Sequence, residues 1–278
     1  MNLLQALILG IVEGVTEFLP VSSTGHLTIV EKLLGMKIDD AGITAFTAII
    51  QVGAIVAVFV YFRSDIARLA VAWVRGLVQK AARTNPDYRF AWHIIIGSIP
   101  IGIVGFAAKD LISGGLRNLW IVVAGLVLWS IVMIVAERVG QQARAENNMT
   151  VKDALIIGVM QCIALIPGVS RSGATISAGL FRNFNRVAAT RISFFLSIPA
   201  LTAAGAYEAA TQASAVSTSV GWLPTIVATI VSFLVAYTAI AWLLRLVAKH
   251  SITVFIGYRI GLAALVSILL ITGVISAT

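Results

Sequence analysis

The chain has 278 residues, of which 59% are hydrophobic and only 12% are charged. Soluble domains carry about 25% charged residues, so this composition excludes an ordinary soluble protein and indicates a membrane protein. The net charge of +8 would suit a nucleic-acid-binding protein, but the basic residues lie in short loops between apolar runs. That pattern is typical of cytoplasmic loops near anionic lipids, so we expect membrane lipids, and no nucleic acid, as partners.

Six apolar stretches are long enough to cross a hydrocarbon core, which needs about 20 residues. They lie near residues 41–62, 90–108, 117–137, 189–210, 222–245 and 252–276. Two further apolar pieces, near 2–19 and 152–166, are shorter and end in clusters of proline, glycine and serine. Irregular backbone at membrane depth is tolerated only inside protein or beside a wet cavity, so both pieces are predicted to form re-entrant helical hairpins.

The basic loops set the orientation of the six spans. Arginine and lysine are concentrated in segments 63–89, 138–152 and 182–191. Segment 211–221, by contrast, has no charged residue. Placing the basic loops in the cytoplasm gives a consistent alternation, with the hairpin of residues 1–40 on the outer side and that of residues 152–188 on the inner side.

An internal repeat relates the two halves of the chain. A shift of 148 residues aligns 6–10 with 154–158 and 21–25 with 169–173. Because the two halves would enter the membrane from opposite sides, the sequence predicts an inverted-topology repeat of approximately 1–137 and 150–278 within one integral membrane domain, 1–278. The predicted fold class is an all-α polytopic membrane protein with six transmembrane helices and two re-entrant helical hairpins.

The densest polar chemistry lies in residues 13–26, with the sequence EGVTEFLPVSSTGH. Glu13 and Glu17 are one helical turn apart on one face, where two carboxylates could share a divalent cation. A solvated face of an interfacial helix is the alternative, but acids within apolar segments are usually functional. The hydroxyls after Pro20 could cap a new helix that attracts anions, and His26 could act as acid, base or nucleophile toward phosphorus.

A second turn, PGVSRSG at residues 167–173, repeats the first turn with arginine in place of Ser23. Arg171 offers a planar fork of donors suited to phosphate oxygens, and the glycines allow backbone amides to approach an anion. The alternative is an arginine that extends to the membrane interface. Acids, histidine, arginine, hydroxyls and two glycine-containing turns together indicate phosphate transfer.

The two stretches resemble the signature motifs of the undecaprenyl pyrophosphate phosphatase family, which is also known for bacitracin resistance, and the resemblance covers the whole chain. It implies an undecaprenyl-diphosphate phosphatase, which hydrolyses this prenyl diphosphate lipid to the monophosphate during bacterial envelope synthesis. It also implies a divalent cation and a site open to the periplasmic side of the inner membrane. The residues that match the family's motifs are Glu13, Glu17, Ser22, Ser23, Thr24, His26, Ser170, Arg171 and Ser172.

We expect Mg²⁺ or Ca²⁺ as the cation, held by Glu13 and Glu17, with catalysis by these acids, His26 and Ser23. The residues expected to bind substrate are Ser22, Thr24, Gly25, Ser170, Arg171, Ser172 and Gly173. The nucleophile is left open between His26, Ser23 and a water activated by His26, and Glu17 could instead orient His26. A homodimer is also left open.

The main alternative is a transporter or flippase of a prenyl phosphate or another anion, because inverted repeats with paired hairpins also occur in transporters. The set of Glu13, Glu17 and His26 favours hydrolysis, since moving an anion does not require these groups. A scaffold protein would not repeat a polar turn in both halves.

Overall fold

The computed structural model of the protein describes residues 1–37, 40–109, 111–116 and 118–277. These residues form eleven α-helices joined by short 3-10 and π turns. The β-type pairing found among them is an isolated bridge between Arg144 and Phe184. The all-α class predicted from the apolar runs is therefore confirmed.

Six helices are long and apolar enough to cross a membrane, as predicted. They are α3 (Ala41–Tyr61), α5 (Pro86–Ala107), α6 (Leu119–Val139), α9 (Arg186–Ala215), α10 (Trp222–Val247) and α11 (Val254–Ile271). Their mean hydropathies lie between 1.5 and 2.7, and large apolar side chains such as Phe106 and Leu128 remain exposed on their surfaces. Exposed apolar surface of this extent suits lipid and not water, so the chain is a multi-pass membrane protein.

Capping side chains fix where several spans begin. Asp40 accepts hydrogen bonds from the amides of Gly42 and Ile43 at the start of α3. Asn85 accepts from the amide of Asp87 at the start of α5, and Asn118 accepts from that of Trp120 at the start of α6. These caps satisfy amides that have no partner within their own helix, which is why the boundaries fall at polar residues.

Five shorter helices complete the fold: α1 (Leu3–Thr16), α2 (Ser23–Leu33), α4 (Arg63–Val78), α7 (Val151–Ile163) and α8 (Arg171–Phe181). At 1.5 Å per residue, α1 and α7 are about 20 Å long, too short for a hydrocarbon core of about 30 Å. Each is joined by a tight turn to a second short helix, α2 or α8, as expected for a re-entrant hairpin. That these two helix pairs are re-entrant, and that they enter from opposite membrane faces, remains a prediction.

The helix pairing follows the sequence repeat. Helix α1 packs closely on α10, while its repeat partner α7 packs on α5. The equivalent glycines make both approaches possible. A Cβ at Gly10 would lie 2.6 Å from the carbonyl oxygen of Ala228, and one at Gly158 would lie 2.2 Å from that of Gly97. The helix that leads into each turn is therefore held against a membrane span from the other half of the chain.

A buried carboxylate fixes the start of the second hairpin. Asp153 in the first turn of α7 accepts hydrogen bonds from Arg144 Nη2 and Arg182 Nε, each at 2.6 Å, and from Thr150 Oγ1 at 2.7 Å. Burial alone would raise the pKa of Asp153, but the hydrogen bonds from Arg144, Thr150 and Arg182 lower it well below its ordinary value. The ionised carboxylate therefore ties both ends of the hairpin to the preceding loop.

We expect Asp153→Asn to lower the free energy of unfolding by roughly 3 kcal/mol at neutral pH, because it leaves two arginines without their carboxylate. Since the native pKa of Asp153 is depressed, its contribution is complete above the ordinary aspartate pKa of about 4 and is lost as the pH falls below it. Thermal unfolding in detergent should therefore show a gap between wild type and variant that narrows in acid.

The matched control is Asp87→Asn, which breaks an ion pair with Arg68, whose side chain is 51% exposed. Exposed pairs contribute at most about 1 kcal/mol, so this variant should unfold close to wild type. If the difference in unfolding temperature between wild type and Asp153→Asn stayed the same in acid, the stabilisation would not come from the ionised carboxylate of Asp153.

Candidate active site

The two repeated turns adopt the same unusual backbone. Ser22 and Ser170 have φ angles of 76° and 78°, a left-handed region that non-glycine residues rarely occupy. Each serine caps the following helix, since Ser22 Oγ accepts from the amide of Gly25 and Ser170 Oγ accepts from that of Gly173. Strained backbone of this kind is concentrated at functional sites. The repeat therefore produces two helix N-termini of the same geometry, those of α2 and α8.

The two turns are joined directly. The amide of Gly168 in the second turn donates to Ser22 Oγ at 3.1 Å, and Ser172 Oγ donates to the carbonyl of Leu19 at 2.8 Å. Ser170 Oγ lies 3.0 Å from Ser172 Oγ and 3.4 Å from the same carbonyl. These contacts bring the two sequence motifs into one site. They also engage three hydroxyls predicted to bind substrate, so Ser22, Ser170 and Ser172 hold the turns together.

Arg259 on α11 is hydrogen-bonded to both turns. It is fully buried, with its guanidinium donating to Pro20 O at 2.8 Å, Gly168 O at 3.0 Å and Ser130 Oγ at 3.0 Å. Further carbonyls, those of Gly125, Leu126 and Val169, lie 3.2 to 3.3 Å from Nη2. The guanidinium therefore does not extend to the membrane interface, and its donors are already bound to protein oxygens. Its donors are used to fix the irregular backbone, which must be satisfied at membrane depth.

Glu17 is the centre of the polar site. Its Oε2 accepts from Ser23 Oγ at 2.6 Å and from Gln51 Nε2 at 3.2 Å, while Oε1 accepts from Arg171 Nη2 at 3.0 Å. The Glu17 side chain is only 3% exposed, so its charge is stabilised by these donors and not by water. The short contact directs the Ser23 hydroxyl proton to a carboxylate, the arrangement of a nucleophile with its base.

Arg171 retains a free donor beside this pair. Its Nη1 donates to the carbonyl of Ser193 at 3.3 Å and Nη2 binds Glu17, while its side chain lies against the ring of Phe18. Its Nε is buried and has no hydrogen-bond partner among the described residues. A buried guanidinium with an unused N–H can receive an anion, and the predicted binding of phosphate by Arg171 stays a prediction.

Glu13 supplies the second carboxylate, one helical turn from Glu17 on α1. It is 1% exposed, and neither carboxylate oxygen has a hydrogen-bond partner within the described residues. A buried carboxylate without donors requires a cation or a proton. Within the described part of the chain, no cluster of three or more histidine, cysteine or acidic side chains forms a ready metal cage. Two carboxylates completed by substrate and water oxygens nevertheless suit a hard divalent cation.

The imidazole of His26 is fixed on both sides. Its Nδ1 lies 2.7 Å from the carbonyl of Ser22, which can only accept, so we assign the proton to Nδ1. Its Nε2 lies 2.6 Å from the hydroxyl of Tyr258 on α11. The hydrogen-bond partners of Glu17 and of His26 are different residues, so the structure does not bring these two side chains together as an orienting pair.

The remaining predicted residues line the helix starts. Gly25 and Gly173 lie in the first turns, where an added Cβ would come within 3.0 Å of Val122 Cγ1 and 3.2 Å of Ser170 Cβ respectively. Thr24 is exposed at the N-terminus of α2. Sequence reasoning did not identify Gln51 and Ser193 as members of the site. An amide inside the apolar span of α3 was the available signal for Gln51.

Comparison with known proteins relates the whole chain to one family. Residues 6–265 match the family model described as bacitracin resistance protein BacA. The chain is 62% identical to undecaprenyl-diphosphatase 3 of Frankia casuarinae, over all of both chains. It is 55% identical to the undecaprenyl-diphosphatases of Cutibacterium acnes and Acidothermus cellulolyticus, again over all of both chains.

Proposed function

Because this chain belongs to the bacitracin resistance protein BacA family, we propose that it is a membrane hydrolase that converts undecaprenyl diphosphate and water to undecaprenyl phosphate and phosphate. The observation that carries the proposal is the contact between the Ser23 hydroxyl and the Glu17 carboxylate beside Arg171. The reaction returns the lipid carrier to cell-wall synthesis and accounts for bacitracin resistance in the family. A flippase would not need this activated hydroxyl.

The diphosphate is bound where the two turns meet. Arg171 donates its unused Nε to a phosphate oxygen, and the first-turn amides of α2 and α8 add the positive ends of two helix dipoles. The undecaprenyl chain lies along the apolar surfaces of the spans, which expose large aliphatic side chains to lipid. Charge at the turns and apolar surface around them together suit a lipid with an anionic head.

The structure favours Ser23 as the nucleophile, since both nitrogens of His26 already have partners. Ser23 Oγ attacks the terminal phosphorus, its proton passes to Glu17 Oε2, and the bond to the bridging oxygen breaks. Undecaprenyl phosphate then leaves and the phosphoryl group remains on Ser23. A positioned carboxylate and a fixed guanidinium supply proton transfer and charge stabilisation for such a step.

Water completes the reaction at the phosphoserine. The water oxygen attacks phosphorus, Glu17 returns its proton to Ser23 Oγ, and phosphate is released. The proton of the attacking water needs a second base, because Glu17 is already protonated at this stage. His26 meets that requirement by position, since it lies three residues after Ser23 on the same face of α2.

We further propose a divalent cation, Mg²⁺ or Ca²⁺, bound by Glu13 with Glu17. When bound, it neutralises charge on the diphosphate oxygens. Removing divalent ions with EDTA should lower phosphate release at least about tenfold, and added Mg²⁺ or Ca²⁺ should restore it. Glu13→Gln should abolish this rescue while leaving thermal unfolding near that of wild type. Full activity in EDTA would contradict the proposal.

The site is proposed to face the periplasm from the inner membrane. The support is the distribution of charge. Arginine-rich loops flank the second hairpin, which places it on the cytoplasmic side, and the predicted topology places the first hairpin on the opposite side. A cysteine placed at Thr24 should react with a membrane-impermeant maleimide in intact cells if the first turn is open to the periplasm. Labelling only after cell disruption would indicate that the first turn faces the cytoplasm.

The direct test is phosphate release from undecaprenyl diphosphate by the purified protein in detergent. Production of equal amounts of undecaprenyl phosphate and phosphate supports the hydrolase. Transfer of the uncleaved lipid between the leaflets of vesicles, without phosphate release, would support the flippase instead.

A further inference from the structure

A long-range contact to the catalytic histidine comes from the last helix. The Tyr258 hydroxyl on α11 lies 2.6 Å from His26 Nε2, although the residues are 232 positions apart in the chain. Their rings are nearly parallel, with an interplanar angle of 8° and centroids 5.5 Å apart. The Ser22 carbonyl can only accept, so Nδ1 carries the proton and neutral His26 accepts from the Tyr258 hydroxyl at Nε2.

The position of Tyr258 is fixed by its neighbour. Arg259 is fully buried and bound to carbonyls of both turns, so the register of α11 against the site is set one residue away. Tyr258 itself is 52% exposed, so the residue combines one buried partner, His26, with an exposed side. A hydroxyl-bearing side chain that is held in place and belongs to a partly exposed residue can exchange protons with a reacting molecule.

We propose that Tyr258 is a catalytic residue that connects His26 to the attacking water in the second half of the reaction. As the water oxygen forms its bond to the phosphoserine phosphorus, the water proton passes to Tyr258 Oη. The Tyr258 proton passes at the same time to His26 Nε2, so the hydroxyl is unchanged and His26 becomes the imidazolium. Release of that proton to solvent with the departing phosphate restores the resting state.

The relay resolves a conflict within the site. His26 lies one turn from Ser23 on α2, where a base is required. Its unprotonated nitrogen, Nε2, however, already accepts a hydrogen bond from Tyr258. Direct proton abstraction would first require this hydrogen bond to break, whereas a relay uses it. The role rests on the proposed hydrolase, because it assigns a step in that reaction.

The test uses Tyr258→Phe, which removes the hydroxyl and keeps the ring. We expect kcat to fall about a hundredfold with KM within about twofold of wild type, since proton transfer is lost and binding is retained. Phosphoserine at Ser23 should accumulate in rapid-quench samples, because the first step does not use Tyr258. In a His26→Gln background, Tyr258→Phe should have no further effect on kcat.

The matched control is Tyr207→Phe, which removes the hydroxyl of another half-exposed tyrosine, on α9, and should retain wild-type turnover. A second readout does not depend on activity. The chain has three histidines, so ¹⁵N-histidine labelling gives few signals, and Tyr258→Phe should shift the Nε2 resonance of His26 alone.

The outcomes separate the relay from the hydrolase. If wild type releases no phosphate, the proposed function fails, whatever the ¹⁵N spectrum shows. The relay would be overturned, with the hydrolase intact, if Tyr258→Phe kept wild-type turnover. It would also be overturned if the loss of kcat in the double variant equalled the product of the losses in the two single variants. Faster turnover of Tyr258→Phe would show that the hydroxyl blocks His26 and would also overturn it.

Discussion

Replacing Ser23 with alanine is expected to lower phosphate release at least about a thousandfold, because the attacking oxygen is removed and the remaining groups only bind and polarise the substrate. The hydroxyl is held 2.6 Å from Glu17 Oε2, and the serine is partly exposed, so alanine should leave the fold intact. Initial rates with purified wild type and variant measure the effect. Thermal unfolding of both proteins checks their folding.

The control for this variant is Thr28→Ala on the same helix. Thr28 Oγ1 donates to the Thr24 carbonyl within α2, so the change removes a comparable hydroxyl that is not bound to Glu17. It should retain near-wild-type rates. Comparable rates for Ser23→Ala and Thr28→Ala would exclude Ser23 as the nucleophile and return that role to His26 or to water.

Arg171→Lys should lower turnover about a hundredfold or more, although it conserves the charge. The guanidinium spans Glu17 and the Ser193 carbonyl while keeping Nε unused, and a single ammonium cannot make all of these contacts. Steady-state kinetics with undecaprenyl diphosphate should show the loss in kcat/KM. Weaker substrate binding is expected alongside it, because the ammonium has no planar fork for phosphate.

The matched control is Arg138→Lys in the last turn of α6, an exposed arginine distant in sequence from both turns. Its activity should remain near that of wild type. If Arg171→Lys retained full kcat/KM, the planar fork of donors would be irrelevant and a simple point charge would account for phosphate binding.

Much of the fold follows from the sequence because membrane spans depend on a local property. A helix in lipid satisfies its own backbone hydrogen bonds, so length and hydropathy suffice to locate it. The stretch predicted at 41–62 is Ala41–Tyr61 in the structure, and that at 222–245 is Trp222–Val247. The shorter apolar pieces predicted at 2–19 and 152–166 correspond to α1, Leu3–Thr16, and α7, Val151–Ile163, and each helix is followed by a turn that contains proline.

The composition of the site was also accessible from sequence, but its connections were not. Acids and arginines inside apolar segments are costly, so Glu13, Glu17 and Arg171 stand out by type alone. Which donor meets which acceptor depends on packing between distant helices. Gln51 from α3 and Tyr258 from α11 join the site through contacts that no spacing rule describes.

Arg259 shows how type alone can mislead. By type alone, an arginine in an apolar run suggests either an anion ligand or a side chain that extends to the membrane interface. The structure instead places it among backbone carbonyls that the two non-helical turns leave without partners. The polar turns that create the active site also create this need, so the arginine is explained by the backbone and not by the substrate.

We propose that the two turns form one site in which Glu17 activates Ser23 against the terminal phosphorus of the substrate. The most direct test is rapid-quench labelling with undecaprenyl diphosphate carrying ³²P in its terminal phosphate, followed by identification of the labelled residue by mass spectrometry. We expect label on Ser23, lost in Glu17→Gln and increased in Tyr258→Phe. Label on His26, or rapid wild-type turnover with Ser23 unlabelled, would contradict the role of Ser23 as the nucleophile.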